Sequence, residues 1–86
     1  MYIEVITPDQ KVFEGEVESA TFQGGDGSFQ VLNNHAPMIS TLGIGDMKLI
    51  ALIDKKLETK YFKLEGGVVE VLNNQVTVLA EKFIQE

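Results

Sequence analysis

The sequence predicts an all-β fold, a small two-sheet β-sandwich of about eight to ten short strands, and three observations predict it. Turn-forming residues recur at short intervals: Thr7-Pro8-Asp9, Gly15, Gly24-Gly25-Asp26-Gly27, Asn33-Asn34, Gly43-Ile44-Gly45-Asp46, Asp54-Lys55-Lys56, Gly66-Gly67 and Asn73-Asn74. The segments between them are rich in Val, Ile, Phe, Thr and Leu, the residues that fit a pleated, half-buried surface. No window of eleven or more residues keeps an apolar i, i+3, i+4, i+7 stripe free of glycine or turn signals, so long helices are not expected.

Taken in order, the candidate strands are residues 2–6, 11–14, 17–23, 28–32, 38–40, 47–53, 57–64, 68–71 and 75–80. Strict alternation marks the last: Val76, Val78 and Ala80 face one way, Thr77 and Leu79 the other. In "KLETKYFKL", Leu57, Thr59, Tyr61 and Lys63 oppose Glu58, Lys60, Phe62 and Leu64, a mixture that predicts contact on both faces. "GGDG" reads as a tight loop in which Gly24, Gly25 and Gly27 can supply positive φ. Gly66-Gly67 predict a bulge or sharp bend, and Asn73-Asn74 a hairpin turn.

The totals narrow the function. Eighty-six residues make one domain, with little spare stability for a deep, strained active site. The absence of cysteine excludes disulfide and thiolate chemistry and fits a cytoplasmic setting. Seven Lys plus Arg against 13 Asp plus Glu give a net charge of −6, a field that repels phosphate backbones and anionic lipid heads. The opening "MYIEVITPDQ" lacks the basic start and apolar core of a secretion signal. The longest apolar run, Leu49 to Ile53, is far shorter than the ~20 residues that span a bilayer. Neither nucleic acid binding nor bilayer insertion is expected.

The single histidine sits in "VLNNHAPMIS", residues 31–40, and a second "VLNN" at 71–74 lacks one. A zinc site needs three or four ligands, which one His and no Cys do not supply. Ser40 and Thr41 are near in sequence, but no nucleophile-elbow pattern surrounds them. His35 is expected to hydrogen-bond backbone in a corner that Pro37 stiffens. "GGDGSF" lacks the lysine and following helix of a phosphate loop. The acids Glu14, Glu16, Glu18, Glu58 and Glu65 read as solvating the outer face. No catalytic, metal or cofactor site is expected.

One alternative comes from "GDMKLIALIDKK". Lipoyl- and biotin-carrying domains are similar acidic sandwiches, with seven residues between a Gly-Asp and an Asp-Lys; Gly45-Asp46 and Asp54-Lys55 reproduce the spacing. That reading makes Lys55 the modified residue, although Ile53 stands where those domains carry a small one.

Three blocks in order, "VFEGEVES", "GGDGSFQVLNNHAPMISTL" and "LEGGVVEVLNNQVTVLAE", carry a stronger resemblance. From about Ile3 to Glu81 the chain resembles the N-terminal β-sandwich domain of the epsilon subunit of F-type ATP synthase. The middle block is the most specific; it departs from the family pattern at Gln30, Asn33-Asn34 and Ile44, which bears on turn geometry. The resemblance implies a non-catalytic rotor subunit of the central stalk. Such a subunit joins gamma to the ring of membrane c subunits and couples ion flow to ATP synthesis. It implies that Asp26, Gly27, Ser28 and Phe29 face the c ring and that His35, Ala36, Pro37, Met38 and Ser40 lie beside gamma. It also implies a place at the cytoplasmic face of the bacterial inner membrane, within a peripheral complex. Family members commonly continue for about 40–50 residues as two antiparallel helices. Here residues 1–86 are expected to form the sandwich as a single domain, without that hairpin.

Overall fold

The computed structural model of the protein describes residues 1–84. It contains six strands: β1 (Tyr2–Ile6), β2 (Lys11–Gly24), β3 (Gly27–Leu32), β4 (Met38–Ile53), β5 (Lys56–Leu72) and β6 (Gln75–Ile84). All nine expected segments are strand, but six strands replace the eight to ten anticipated. Residues 11–14 and 17–23 are one strand, as are 38–40 with 47–53 and 57–64 with 68–71. Gly15, Gly43 and Gly45 therefore lie inside strands. They read as turns because glycine both ends strands and lets them bend, and only the pairing partner distinguishes the two.

The sheet order is β1-β6-β5-β4-β2-β3, and β1 also pairs with β2, so five strands close a ring and β3 adds to its side. Bent strands are shared between two layers. In one, residues 11–16 of β2 pair with β1, β1 runs parallel to β6, β6 pairs with residues 67–72 of β5, and these pair with 38–42 of β4. In the other, residues 19–24 of β2 lie between β3 and β4, and residues 47–53 of β4 pair with 56–62 of β5. This is the two-sheet sandwich, made from strands that fold over its edge.

Gly66 and Gly67 show why the fold needs glycine there. Their φ values are +69° and +125°, and a Cβ on Gly67 would collide with the Leu79 carbonyl and with Ala80 Cα, 2.8 Å away. The bend and the close approach of β6 both require a missing side chain. Three two-residue turns set the hairpin registers. Asp54-Lys55 and Asn73-Asn74 have positive φ at both residues, the geometry whose twist matches the flanking strands. In the β2–β3 turn only Gly27 is positive, at φ +123°; Gly24 and Gly25 are not.

Inward positions fill the core. Ile3 and Val5 of β1, Ala20 and Phe22 of β2, Val31 of β3, Leu49 of β4, Val69 of β5, and Val76 and Val78 of β6 have no exposed surface. Rings of Phe13, Phe62 and Phe83, with centroids 5.6 and 6.0 Å apart in succession, link β2, β5 and β6. The expected contact on both faces of residues 57–64 is not found. Phe62 and Leu64 turn inward, whereas Leu57 and Tyr61 stay exposed because no element covers that face among the described residues.

Candidate functional site

The two expected surfaces lie at the two ends of β3. At one end Gly24 pairs with Gly27 across the Gly25-Asp26 tip, and Gly24 also pairs with Leu42 where β4 approaches its bend. Asp26, Gly27 and Ser28 are exposed. Phe29 differs. It alternates inward, and its ring lies 5.4 Å from the buried ring of Phe22, so it braces the loop from beneath. Alternation along a strand makes the difference: of two successive residues, one must face the core.

The other end of β3 leads into the histidine corner. The His35 N–H donates to the Leu32 carbonyl at 3.1 Å, closing a four-residue turn with Asn34 at φ +62°. The His35 ring lies 2.7 Å, through Nδ1, from the Ala36 carbonyl; a carbonyl only accepts, so Nδ1 carries the proton. The expected bond to backbone is present, on a half-exposed ring. Ala36 and Pro37 are exposed, Met38 packs on the core, and Ser40 is half-buried with its hydroxyl 3.4 Å from the Thr41 carbonyl. Between Met38 and Ser40, Ile39 projects outward and is 72% exposed. Sequence reasoning passed over it, although alternation from a core-facing Met38 would have found it. Pro37, Met38 and Ile39 form one wall of a shallow groove of about 350 Å³, and Glu70, Val71 and Leu72 form the other.

A six-residue β3 at about 3.3 Å per residue separates the two surfaces by about 20 Å. They belong to one sandwich and lie at opposite ends of β3. The corner is fixed from a distance. The Asn34 N–H donates to Asn74 Oδ1 at 2.8 Å, and Asn74 Nδ2 donates to Asn33 Oδ1 at 2.9 Å. Asn33 Oδ1 also accepts from the Met1 amine at 3.1 Å, and that amine lies 3.3 Å from Glu16 Oε2. The two "VLNN" runs, far apart in sequence, thus meet through their asparagines.

Glu14, held below its ordinary 4.5 by the Tyr2 hydroxyl and then by Lys11, lies on the solvated face of β2. Among the described residues no three His, Asp or Glu side chains gather to hold a metal ion. Lys55 stands at an exposed hairpin tip, the placement that the carrier-domain alternative needs.

Comparison decides between these readings. The profile of the family described as ATP synthase, Delta/Epsilon chain, beta-sandwich domain matches residues 1–86. The chain belongs to that family. An ATP synthase epsilon chain of Leptospira borgpetersenii is 39% identical over 79 residues, spanning 92% of this chain and 59% of that one. Another, from Chlorobium limicola, is 38% identical over 79 residues and is covered to 86% of its length. The chain thus spans somewhat over half of the first relative and most of the second. In the Tetrahymena thermophila mitochondrial ATP synthase central stalk and c-ring structure, one chain superposes with a TM-score of 0.81. That match has 20% identity and covers 99% of this chain and 66% of that one, a likeness of fold. Membership in the delta/epsilon family removes the basis for the carrier reading of Lys55, whose tip is an ordinary type I′ turn.

Proposed function

We propose that this chain is the β-sandwich of an ATP synthase epsilon subunit, a non-catalytic rotor part that joins the gamma subunit to the c ring. One observation carries the proposal beyond family membership: the paired sandwich presents two chemically different surfaces about 20 Å apart at the ends of one strand. The loop at Asp26 and Ser28 offers a carboxylate and a hydroxyl as acceptors for polar loops of a c ring. The corner from His35 to Ser40 offers an apolar groove and Ile39 to gamma. Torque passing between the two partners would then cross a paired sheet, with every segment between them tied into hydrogen-bonded strands.

The role asks for no cofactor and no reacting group. His35 spends one ring nitrogen on the neighbouring carbonyl, which suits a residue that shapes a corner. Residues 1–86 act in this reading as one domain, at the cytoplasmic face of a bacterial inner membrane, held there through partners. Copurification with gamma tests it. A tagged form of the chain should retain the gamma subunit of its own organism through affinity capture and gel filtration. Elution of gamma alone, with the tagged chain folded, would refute the proposal.

A further inference from the structure

The duplicated "VLNN" has no role in the reading above, yet its second copy reaches across 40 positions of sequence to the docking corner. Asn34 stands at φ +62° with its N–H satisfied by Asn74, and Asn33 is held by the same amide through its other end. A primary amide can do this with one group, since its oxygen accepts while its nitrogen donates. Asn74 in turn is fixed, because it occupies a tight turn at φ +61° and its carbonyl accepts from the Tyr2 N–H at 3.2 Å. The corner that carries His35, Ala36 and Pro37 is a five-residue crossing between β3 and β4; besides Asn74 it is held by the backbone bond from His35 to Leu32 and by the Met1 amine on Asn33 Oδ1, neither of which engages the Asn34 N–H.

We propose that Asn74 is a positioning residue for gamma docking: its side chain latches the Asn33-Asn34 turn and so fixes the corner that gamma meets. This rests on the assignment of His35–Ser40 to gamma. Asn74 need not touch gamma. It lowers the number of conformations that the corner must give up on binding, and pre-organisation of that kind raises affinity without a new contact. The β5–β6 turn thereby becomes part of the docking apparatus, as the direct continuation of Glu70, Val71 and Leu72, the second wall of the groove.

Asn74→Gly separates the latch from the turn, since glycine keeps positive φ at no steric cost and keeps the backbone carbonyl for Tyr2. Asn74→Asp retains an acceptor for the Asn34 N–H. Amide hydrogen exchange of the isolated chain and calorimetric titration with gamma should be read together. For Asn74→Gly, exchange at Asn34 should accelerate by about tenfold, as for the loss of one or two hydrogen bonds. Gamma affinity should fall about threefold to tenfold, while exchange in β1 and β6 stays unchanged; Asn74→Asp, which accepts from the Asn34 N–H but cannot donate to Asn33 Oδ1, should restore protection at Asn34 and only part of the affinity. Unchanged Asn34 exchange in the glycine variant would overturn the latch. Faster exchange with unchanged gamma affinity would overturn its positioning role. No binding of gamma by the unsubstituted chain would instead overturn the rotor-subunit reading, and the docking role of Asn74 with it, whatever the amide does.

Discussion

His35 is held by one local hydrogen bond on a half-exposed ring, and that sets how much it can contribute. His35→Ala should lower stability by about 0.5–1.5 kcal/mol in urea unfolding, the range of a single net hydrogen bond. A loss of several kcal/mol would mean a buried role that the geometry lacks. Gly67 is the opposite case. Its substitution combines a strained φ of +125° with a collision against β6 backbone, neither of which a side-chain rotation relieves. Gly67→Ala should cost at least about 2 kcal/mol, measured by the same unfolding, and a neutral result would contradict the close approach of β5 and β6. Both residues were legible to different degrees. Pro37 and the lone histidine announced a shaped corner, and Gly66-Gly67 announced a bend. The Asn33–Asn74 contact was not legible, because nothing local in either "VLNN" encodes a partner some 40 residues away.

Strand β2 shows how an element balances its own charges. Glu4 and Glu14 are cross-strand partners, an unfavourable pairing of like charges, and Lys11 Nζ lies 3.2 Å and 3.1 Å from the two carboxylates. The Glu14 carboxylate also acts on the Tyr2 hydroxyl, and holds both Tyr2 and Lys11 above their ordinary 10.0 and 10.5, with Glu4 adding to the effect on Lys11. The lowered Glu14 group stabilises the fold above its ordinary 4.5, and this is lost as pH falls through its folded value. The raised Tyr2 and Lys11 groups stabilise below 10.0 and 10.5, and this is lost as pH rises through their folded values. Urea midpoints should therefore be flat from about pH 5 to about pH 9 and decline on both sides. Glu14→Gln should make both declines shallower; an unchanged profile would show that the cluster adds nothing on this exposed face. At this scale the strands were readable from alternation and turn residues, as Val76, Val78 and Ala80 illustrate. Their continuity was not. Gly15 and Gly43 lie within strands whose neighbours remain paired, and pairing is a property of the partner strand, which local sequence does not contain.

In the whole molecule, one core supports both surfaces, so damage to it should weaken both together. Leu49, fully buried in β4, should cost about 2–5 kcal/mol when cut to alanine, as large-to-small core changes do, and its urea transition should stay single. Asp26→Lys, at an exposed tip, should change stability by no more than about 0.5 kcal/mol while weakening the coupling of ion flow to ATP synthesis in reconstituted vesicles. The central claim is that the two ends of β3 meet two different partners. Single cysteines test it most directly, because the chain has no native thiol. Ser28→Cys and His35→Cys, each placed in the assembled ATP synthase, should crosslink selectively. The Ser28→Cys variant should join to a c-subunit loop and not to gamma, and the His35→Cys variant to gamma and not to c. Crosslinks to the same partner from both variants, or from neither variant to gamma or c in intact complexes, would contradict it.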